Sequence, residues 1–161
     1  MVIRDFITQD IEPMIAAQYR FQGYLAEIDD LKRVQCNPGY GEAYTDDLLK
    51  KIKEQCGHIY VAEEEGEMVG FIAGVIETQT ELDKLSHIPL KHGRVLDLFV
   101  ESNYRGSGVG KQLMAKIEHY FRDQQCDAIM IEVFGPNKKA KQFYEQLGYA
   151  DRDYDLQKSL V

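Results

Sequence analysis

The chain has 161 residues, and this length predicts one domain, residues 1–161, that buries about 70% of the surface exposed by its unfolded chain. The formal net charge of −8 argues against a protein that neutralises a nucleic-acid backbone, because such proteins carry a basic face. No apolar run approaches the roughly 20 residues of a membrane span, and the N-terminus lacks a signal-peptide pattern, so we expect a cytoplasmic protein without a membrane partner.

The first third of the chain predicts a strand followed by two helices. Residues 2–7 are the candidate strand, and residues 10–21 open a helix with an acidic first turn and an early proline. Residues 45–57 predict a second helix. Its expected N-cap is Thr45 and its expected closing residue is Gly57.

The middle of the chain predicts a hairpin and a long connection. Two β-rich runs within residues 58–77 flank an acidic turn that contains a glycine, between Glu63 and Glu67. The polar segment from Thr78 to Arg94 then joins the hairpin to the next strand. A connection of this length is either a lid or acceptor-site loop or a simple surface excursion.

The C-terminal half alternates strands and helices. Residues 95–100 and 128–134 predict buried strands, and a helix that begins after a glycine-rich turn joins them. Asn137 is the expected N-cap of the next helix and Gly148 its end. Residues 149–158 predict a polar edge strand. The first of these helices carries apolar side chains at helical spacing: Val109, Leu113, Ile117, Tyr120 and Phe121.

The cysteines and histidines follow no metal-binding spacing. Cys36, Cys56 and Cys126 are odd in number and widely separated, which predicts neither a disulfide framework nor a zinc site. The four histidines form no HExxH pattern. We therefore expect no bound metal.

The turn before the first C-terminal helix predicts an anion-binding site. Its glycines are Gly106, Gly108 and Gly110, directly between a strand and a helix. The first backbone N–H groups of a helix lack intrahelical partners, and glycines let phosphate oxygens approach them closely. Arg105 and Lys111 add positive charge on either side. We call residues 105–110 the glycine loop.

The spacing of the glycine loop disfavours two common nucleotide sites. The dinucleotide pattern GxGxxG requires a glycine where Lys111 stands. The nucleotide P-loop GxxxxGK[ST] would place its first glycine at Arg105 and a hydroxyl residue at Gln112. A purely structural tight turn remains the alternative, and the combination of three glycines with two cations disfavours it.

Three lysines after Asn137 give independent support for an anion. Lys138, Lys139 and Lys141 lie in the first turns of the next helix, where the helix dipole disfavours cations by a few tenths of a kcal/mol each. A bound polyanion would reverse this penalty. The alternative is that these lysines are only solvated surface charge.

At this point the sequence resembles the GNAT-type N-acetyltransferases. Their pyrophosphate loop reads Arg or Gln, two residues, Gly, one residue, then Gly or Ala, and RGSGVG at 105–110 fits it in full. The stretches VLDLFVESNYRGSGVGKQLM and IEVFGPNKKAKQFYEQLGY match the family's two central blocks over roughly residues 94–150. The resemblance implies an α/β fold whose mixed, mostly antiparallel central sheet contains a splayed parallel strand pair and is flanked by helices.

The resemblance also implies where coenzyme A binds. The pantetheine arm is expected between strands 95–101 and 128–134, bonded to the main chain of the first strand, with the diphosphate on the glycine loop. Asn137 combines the N-cap role with an amide contact to pantetheine. The implied cofactor residues are Leu98, Phe99, Val100, Arg105, Gly106, Ser107, Gly108, Val109, Gly110, Lys111, Asn137, Lys139 and Tyr144.

The family pattern assigns the general acid to Tyr144, whose phenol can protonate a departing thiolate. The alternative is that Tyr144 is only core on an apolar helix face. The general base is open. Arg94 stands where many relatives carry a glutamate, so the candidates are Glu132, on a predicted buried strand, and Asp97, either of which can act through water.

Together these features predict an enzyme that transfers an acetyl group from acetyl-CoA to a primary amine by direct attack in a ternary complex. Its acceptor would be a small-molecule or peptide amine. The alternative is a non-catalytic acyl-CoA sensor on the same fold, which the arginine at position 94 supports. The predicted edge strand at 149–158 is compatible with a homodimer.

Overall fold

A computed structural model of the protein describes residues 1–158. It contains five strands and five α-helices within these residues, and short 3₁₀ turns at Thr8–Asp10 and Ser102–Tyr104 complete the regular structure. In chain order the elements are β1 Val2–Asp5, α1 Ile11–Ile28, α2 Tyr40–Glu54, β2 His58–Glu64, β3 Glu67–Glu77, α3 Glu81–Ser86, β4 His92–Val100, α4 Val109–Asp123, β5 Ala128–Ile131 and α5 Lys138–Gln146.

The five strands form one mixed sheet in the order β1-β2-β3-β4-β5. Neighbours are antiparallel except for β4 and β5, which are parallel. Val95 pairs with Ile131, the last residue of β5, whereas β4 continues to Val100. The far half of β4 therefore has no partner in β5, which confirms the predicted mixed sheet with a splayed parallel pair.

Helices cover both faces of the sheet and create two apolar cores. One core packs the amphipathic face of α4 against the sheet, and the other packs α1 and α2 against the opposite face. β3 lies between them, so its side chains are almost all buried. This double coverage explains why β3 reads as a continuous apolar run rather than an alternating one.

The predicted hairpin is confirmed. β2 and β3 are joined by a two-residue turn in which Glu65 has φ 52° and Gly66 has φ 86°. Positive φ at both central positions twists the turn in the sense that antiparallel strands require, and glycine adopts this conformation at low cost.

The second helix begins earlier than predicted, and the N-cap assignment of Thr45 is wrong. Thr45 is buried inside α2, which begins at Tyr40 behind Gly39, a residue with φ 85°. A Cβ at Gly41 would lie 2.6 Å from the Tyr19 ring, so this glycine lets α2 cross α1 closely. Helix packing thus outweighs the low helix propensity of Gly41.

Gly57 follows the left-handed residue at the end of α2 and does not adopt that conformation itself. The helix ends at Glu54, and Cys56 takes the left-handed conformation with φ 45°. A Cβ at Gly57 would lie 2.7 Å from the carbonyl oxygen of Gly74 in β3. The N–H of Gly57 also donates to the carbonyl of Ile52 at 2.8 Å, so Gly57 contributes to the end of α2 as well as to its close packing against the sheet.

The connection predicted from Thr78 to Arg94 is shorter and partly helical. β4 already begins at His92, and α3 lies within the connection. Thr80 and Asp83 form a reciprocal capping box at the start of α3. The large apolar side chains of Leu82, Leu85 and Ile88 are exposed.

Two predicted strands differ from the structure in the C-terminal half. β5 ends at Ile131 instead of residue 134 and is half-buried, because pairing with β4 stops there. Residues 149–158 form no strand, and the side chains of Asp151 and Tyr154 bond with Lys141 or with each other instead. The edge-strand argument for a homodimer is therefore lost. The caps at Asn137 and Gly148 are confirmed.

Candidate active site

The candidate site begins at the unpaired end of β4. Leu98, Phe99 and Val100 pair on one side with β3, at Gly70 to Ile72, and lie beyond the last β5 pair on the other. Backbone polar groups on the β5 side of this segment are thus in a position to bond with a ligand rather than with a strand. This is the segment that the sequence assigns to the pantetheine arm.

The glycine loop follows directly and places bare backbone at the start of α4. Gly106 has φ 81° and Gly108 has φ 94°, so both positions require glycine. The N–H of Gln112 donates to the carbonyl of Gly108 at 3.1 Å, which leaves the amides of residues 109–111 ahead of this first helical bond. These amides and the positive end of the helix dipole form the geometry of an anion site.

Gly110 is explained by helix packing rather than by a left-handed backbone conformation. A Cβ on Gly110 would lie 3.3 Å from the ring of Phe143 and 3.9 Å from the side chain of Val100. The missing side chain therefore lets α5 pack close to the start of α4. This contact holds α5, which carries Tyr144, beside the end of β4.

Arg105 links the glycine loop to α1. Its Nε donates to the carbonyl of Val100 at 2.9 Å, and its guanidinium lies over the ring of Tyr24 at 5.5 Å. The hydroxyl of Tyr24 donates to Oδ1 of Asn137 at 3.4 Å. The same Oδ1 accepts the backbone N–H of Ala140 at 3.2 Å, the N-cap bond of α5. Asn137, Arg105 and Tyr24 thus connect three elements around the predicted cofactor site.

The lysines differ in their partners. Lys111, Lys138 and Lys139 are exposed. Lys141 instead bonds with Asp151 at 2.7 Å, lies 3.7 Å from Glu145, and its ammonium lies over the ring of Tyr154. The charge of Lys141 is thus already compensated within the chain.

Tyr144 lies in a half-buried aromatic cluster on α5. Its ring makes edge contacts with Phe143 at 5.2 Å and with Tyr149 at 5.9 Å between centroids. Burial and, to a smaller extent, the negative charge of Asp97 raise the pKa of the Tyr144 phenol to about 12. The phenol therefore carries its proton at neutral pH.

Asp97 is enclosed on the face of the sheet that α1 and α2 cover. Ala73 pairs with Asp97 and Gly74 with Val95, so Leu96 is the extra residue of a β-bulge, and Asp97 turns toward the two helices. The side chain is 4% exposed. Gln18 Nε2 donates to Oδ2 at 2.9 Å, and the Tyr44 hydroxyl donates to Oδ1 at 3.3 Å. We call these three residues the Asp97 cluster.

Burial raises the pKa of Asp97 to about 6, although the bonds from Gln18 and Tyr44 lower it. Desolvation disfavours the charged form, whereas hydrogen bonds donated to the carboxylate favour it. The Asp97 carboxyl thus titrates within the range that an acid–base catalyst needs at neutral pH.

The other base candidate has different surroundings. Glu132 is exposed and lies just after the end of β5, so the expectation that it stands on a buried strand is wrong. Arg94, which occupies the position of the usual glutamate, bonds through Nε to Glu77 on β3 at 2.6 Å. A catalytic role for Glu132 stays a prediction.

The sequence reasoning missed Gln18, Tyr24 and Tyr44, which reach the site from α1 and α2. One sign was present in α1, whose buried residues are Met14, Ala17 and Gln18. A glutamine on an otherwise apolar helix face requires a polar partner. The identity of that partner depends on the tertiary fold.

Two further properties bear on the ligands of the site. Across residues 1–158, no group of three or more His, Cys, Asp or Glu side chains has a metal-binding arrangement. In the same part of the chain, no helix has the length and hydrophobicity required to cross a bilayer.

Comparison with known proteins identifies a family. Residues 25–149 match the family described as Acetyltransferase (GNAT) family. The uncharacterized N-acetyltransferase YhfO of Bacillus subtilis is 32% identical over 153 residues, which cover 94% of this chain and 91% of YhfO. The uncharacterized N-acetyltransferase MJ1530 of Methanocaldococcus jannaschii is 34% identical over 58% of this chain, and the match spans about half of that protein, 53%.

Solved structures share the fold over the whole chain. A mutant of the BH1408 protein from Bacillus halodurans gives a TM-score of 0.83 at 22% identity, with 100% of both chains covered. A predicted acetyltransferase from Clostridium acetobutylicum, solved with acetyl-CoA, gives a TM-score of 0.74 at 16% identity, with 99% of this chain and 96% of that chain covered. At these identities, the likeness establishes the fold.

Proposed function

The chain belongs to the GNAT acetyltransferase family, and we propose that it transfers an acetyl group from acetyl-CoA to a primary amine by direct attack in a ternary complex. The acceptor is a small-molecule or peptide amine. The net charge of −8 gives a weak long-range field that favours a cationic acceptor.

The observation that carries this proposal is the junction of an unpaired strand end with a glycine-lined helix N-terminus. An elongated ligand with amides at one end and phosphates at the other fits such a junction. Leu98, Phe99 and Val100 would bond to the pantetheine arm, and the amides of residues 109–111 would hold the diphosphate beside Gly106 and Gly108. In this proposal, further contacts to coenzyme A come from the side chains of Arg105, Ser107, Lys111, Asn137 and Lys139.

Acetyl-CoA supplies an activated acyl carbon and a thiolate leaving group. Tyr144 donates its phenolic proton to the departing sulfur, a role that requires a phenol protonated at neutral pH. A backbone N–H of β4 in the Leu98–Val100 segment stabilises the negative charge that develops on the carbonyl oxygen. A carboxylate accepts the proton that the amine nitrogen releases.

We assign this last role to Asp97 in preference to Glu132. Asp97 lies two residues beyond the last pair of β4 with β5, and its charge influences the pKa of Tyr144. Glu132 is exposed to solvent just after the end of β5, whereas two hydrogen-bond donors enclose the Asp97 carboxylate. The two assignments are separable by mutation, because each residue can be replaced by its amide.

Thiol release from acetyl-CoA across a panel of primary amines and peptide N-termini tests the activity. We expect amine-dependent release by the parent protein, at least a 100-fold loss in Asp97→Asn, and a change within about twofold in Glu132→Gln. A large loss in Glu132→Gln alone would return the base to that residue. Binding of acetyl-CoA without release for any amine would support the non-catalytic sensor instead.

A further inference from the structure

The hydrogen bonds that enclose Asp97 come from helices outside the cofactor motif. Gln18 lies on α1 and Tyr44 on α2, and each donates to a different oxygen of the carboxylate. The bulge at Leu96 turns Asp97 toward them. A carboxylate that accepts donors on both oxygens is held in one orientation and is stabilised in its charged form.

We propose that Gln18 and Tyr44 are positioning residues that hold the Asp97 carboxylate ionised, so that it accepts the proton released by the amine. This inference rests on the proposed acetyl transfer. It gives α1 and α2 a part in the proton chemistry, in addition to their packing against the sheet.

The groups around Asp97 come from three helices. In addition to Gln18 and Tyr44, Tyr40 lies nearby, with its ring centroid 5.5 Å from that of Tyr44. Lys51 on α2 adds a distant positive charge. Tyr144 on α5 experiences the charge of Asp97. Lys51 and the two hydrogen bonds favour the ionised carboxylate and burial opposes it, so removal of either bond favours protonation.

The proton balance of the reaction then involves two residues. The amine nitrogen forms a bond to the acyl carbon, the C–S bond breaks, and sulfur leaves with the bonding electron pair. Sulfur takes the proton of Tyr144, and the surplus proton on nitrogen goes to Asp97. Because Asp97 is enclosed, the proton reaches its carboxylate through water rather than by direct contact with the amine. Return of the proton from Asp97 to the Tyr144 phenolate through solvent restores both groups.

The test is the pH dependence of kcat at saturating substrates in Gln18→Leu and Tyr44→Phe. Each variant removes one donor to the carboxylate, so the midpoint of the acidic limb should rise by roughly one pH unit. On that limb, this shift equals about a tenfold loss of activity. Tyr40→Phe, which alters the neighbouring ring, serves as the matched control and should keep the parental midpoint.

A second measurement is independent of activity. A carboxyl whose pKa is raised on folding stabilises the protein below its unfolded pKa and loses that contribution as pH rises through the folded value, about 6. Relative to Asp97→Asn, the parent Tm should therefore fall between about pH 4 and pH 6. In Gln18→Leu and Tyr44→Phe, the fall should extend to higher pH.

The two measurements separate the possible failures. A lower Tm and a uniformly lower kcat with unchanged midpoints would mean that Gln18 and Tyr44 are only structural, and would overturn the proposal. A shifted stability profile in a protein that acetylates no amine would confirm the hydrogen-bond effect but refute its catalytic use, together with the proposed function. If Gln18→Leu fails to fold, the test rests on Tyr44→Phe, which keeps the packing of the aromatic ring and removes only the hydroxyl.

Discussion

The glycine loop and the Asp97 cluster both adjoin the unpaired end of β4, yet they are built from different parts of the chain. The loop offers backbone amides at the surface, and its essential property is a left-handed conformation at Gly106 and Gly108. The cluster offers side-chain atoms in a buried site, from three elements distant in sequence. The loop should be most sensitive to substitution at Gly106 and Gly108, whereas the cluster should respond to the loss of a single side-chain atom.

The largest effect is expected when the hydroxyl oxygen of Tyr144 is removed. Tyr144→Phe should lower kcat by at least about 100-fold and leave the Kd for coenzyme A nearly unchanged, because a phenylalanine retains the ring contacts but cannot donate a proton. Steady-state kinetics and calorimetry measure the two quantities.

Tyr120→Phe is the matched control for that variant. Its hydroxyl donates to the carbonyl of Cys56 at 2.6 Å, so the substitution also removes one tyrosine hydroxyl, but near the C-terminal end of α4. It should lower stability by about 1 kcal/mol and leave kcat unchanged. Parental turnover by Tyr144→Phe would show that Tyr144 is not the general acid.

Gly108→Val tests the glycine loop. At φ 94° a β-branched residue is strongly strained, so the start of α4 must rearrange and the anion site is lost. We expect the affinity for coenzyme A to fall by at least about tenfold, since strain of this kind costs roughly 1–3 kcal/mol. Calorimetry at low salt measures the change.

Gly23→Ala provides the comparison for the glycine variant. Gly23 lies inside α1, and a Cβ there would meet no atom within 4 Å. Alanine should keep the affinity and raise the free energy of unfolding by about 0.5–1 kcal/mol. Equal affinity in Gly108→Val and the parent would refute the assignment of the phosphate site to this loop.

The same contrast explains what could be predicted from the sequence. The glycine loop, the hairpin and the caps at Asn137 and Gly148 were predictable, because a local conformation demands a residue type at a fixed position. The start of α2 was not, since Thr45 is a good N-cap by type, while the contact of Gly41 with α1 is long-range.

The Asp97 cluster was even harder to predict from the sequence, because all its contacts are long-range. Gln18 and Tyr44 are 79 and 53 residues from Asp97 in sequence, and only the sheet with its two helices brings them together. Glu132 is one of the two base candidates in the sequence, because the apolar run predicts a buried strand over residues 128–134. The strand ends at Ile131 because its pairing with β4 ends there, which no local pattern records.

A smaller effect is expected from the surface charges beside the loop. If the proposed diphosphate site is correct, the double variant Lys138→Gln, Lys139→Gln should weaken coenzyme A binding several-fold at low salt and reduce its salt dependence, because it removes two exposed cations. Lys141→Gln should change affinity less, since Asp151 already pairs with this lysine. Calorimetry over a range of NaCl concentrations compares the variants, and identical salt dependence would assign the lysines to solvated surface charge.

The smallest effect concerns the contacts of Tyr24 on α1 with Arg105 and Asn137. Tyr24→Phe removes the long 3.4 Å hydrogen bond to Asn137 but retains the ring beneath the guanidinium of Arg105. A bond of this length contributes little, so we expect the Kd for coenzyme A to rise by no more than about threefold, with kcat unchanged. Tyr24→Ala also removes the ring and should weaken binding further, by the loss of a cation–π contact. If both variants bind coenzyme A as tightly as the parent, α1 contributes to the Asp97 cluster alone. The glycine loop and the Asp97 cluster would then be energetically independent.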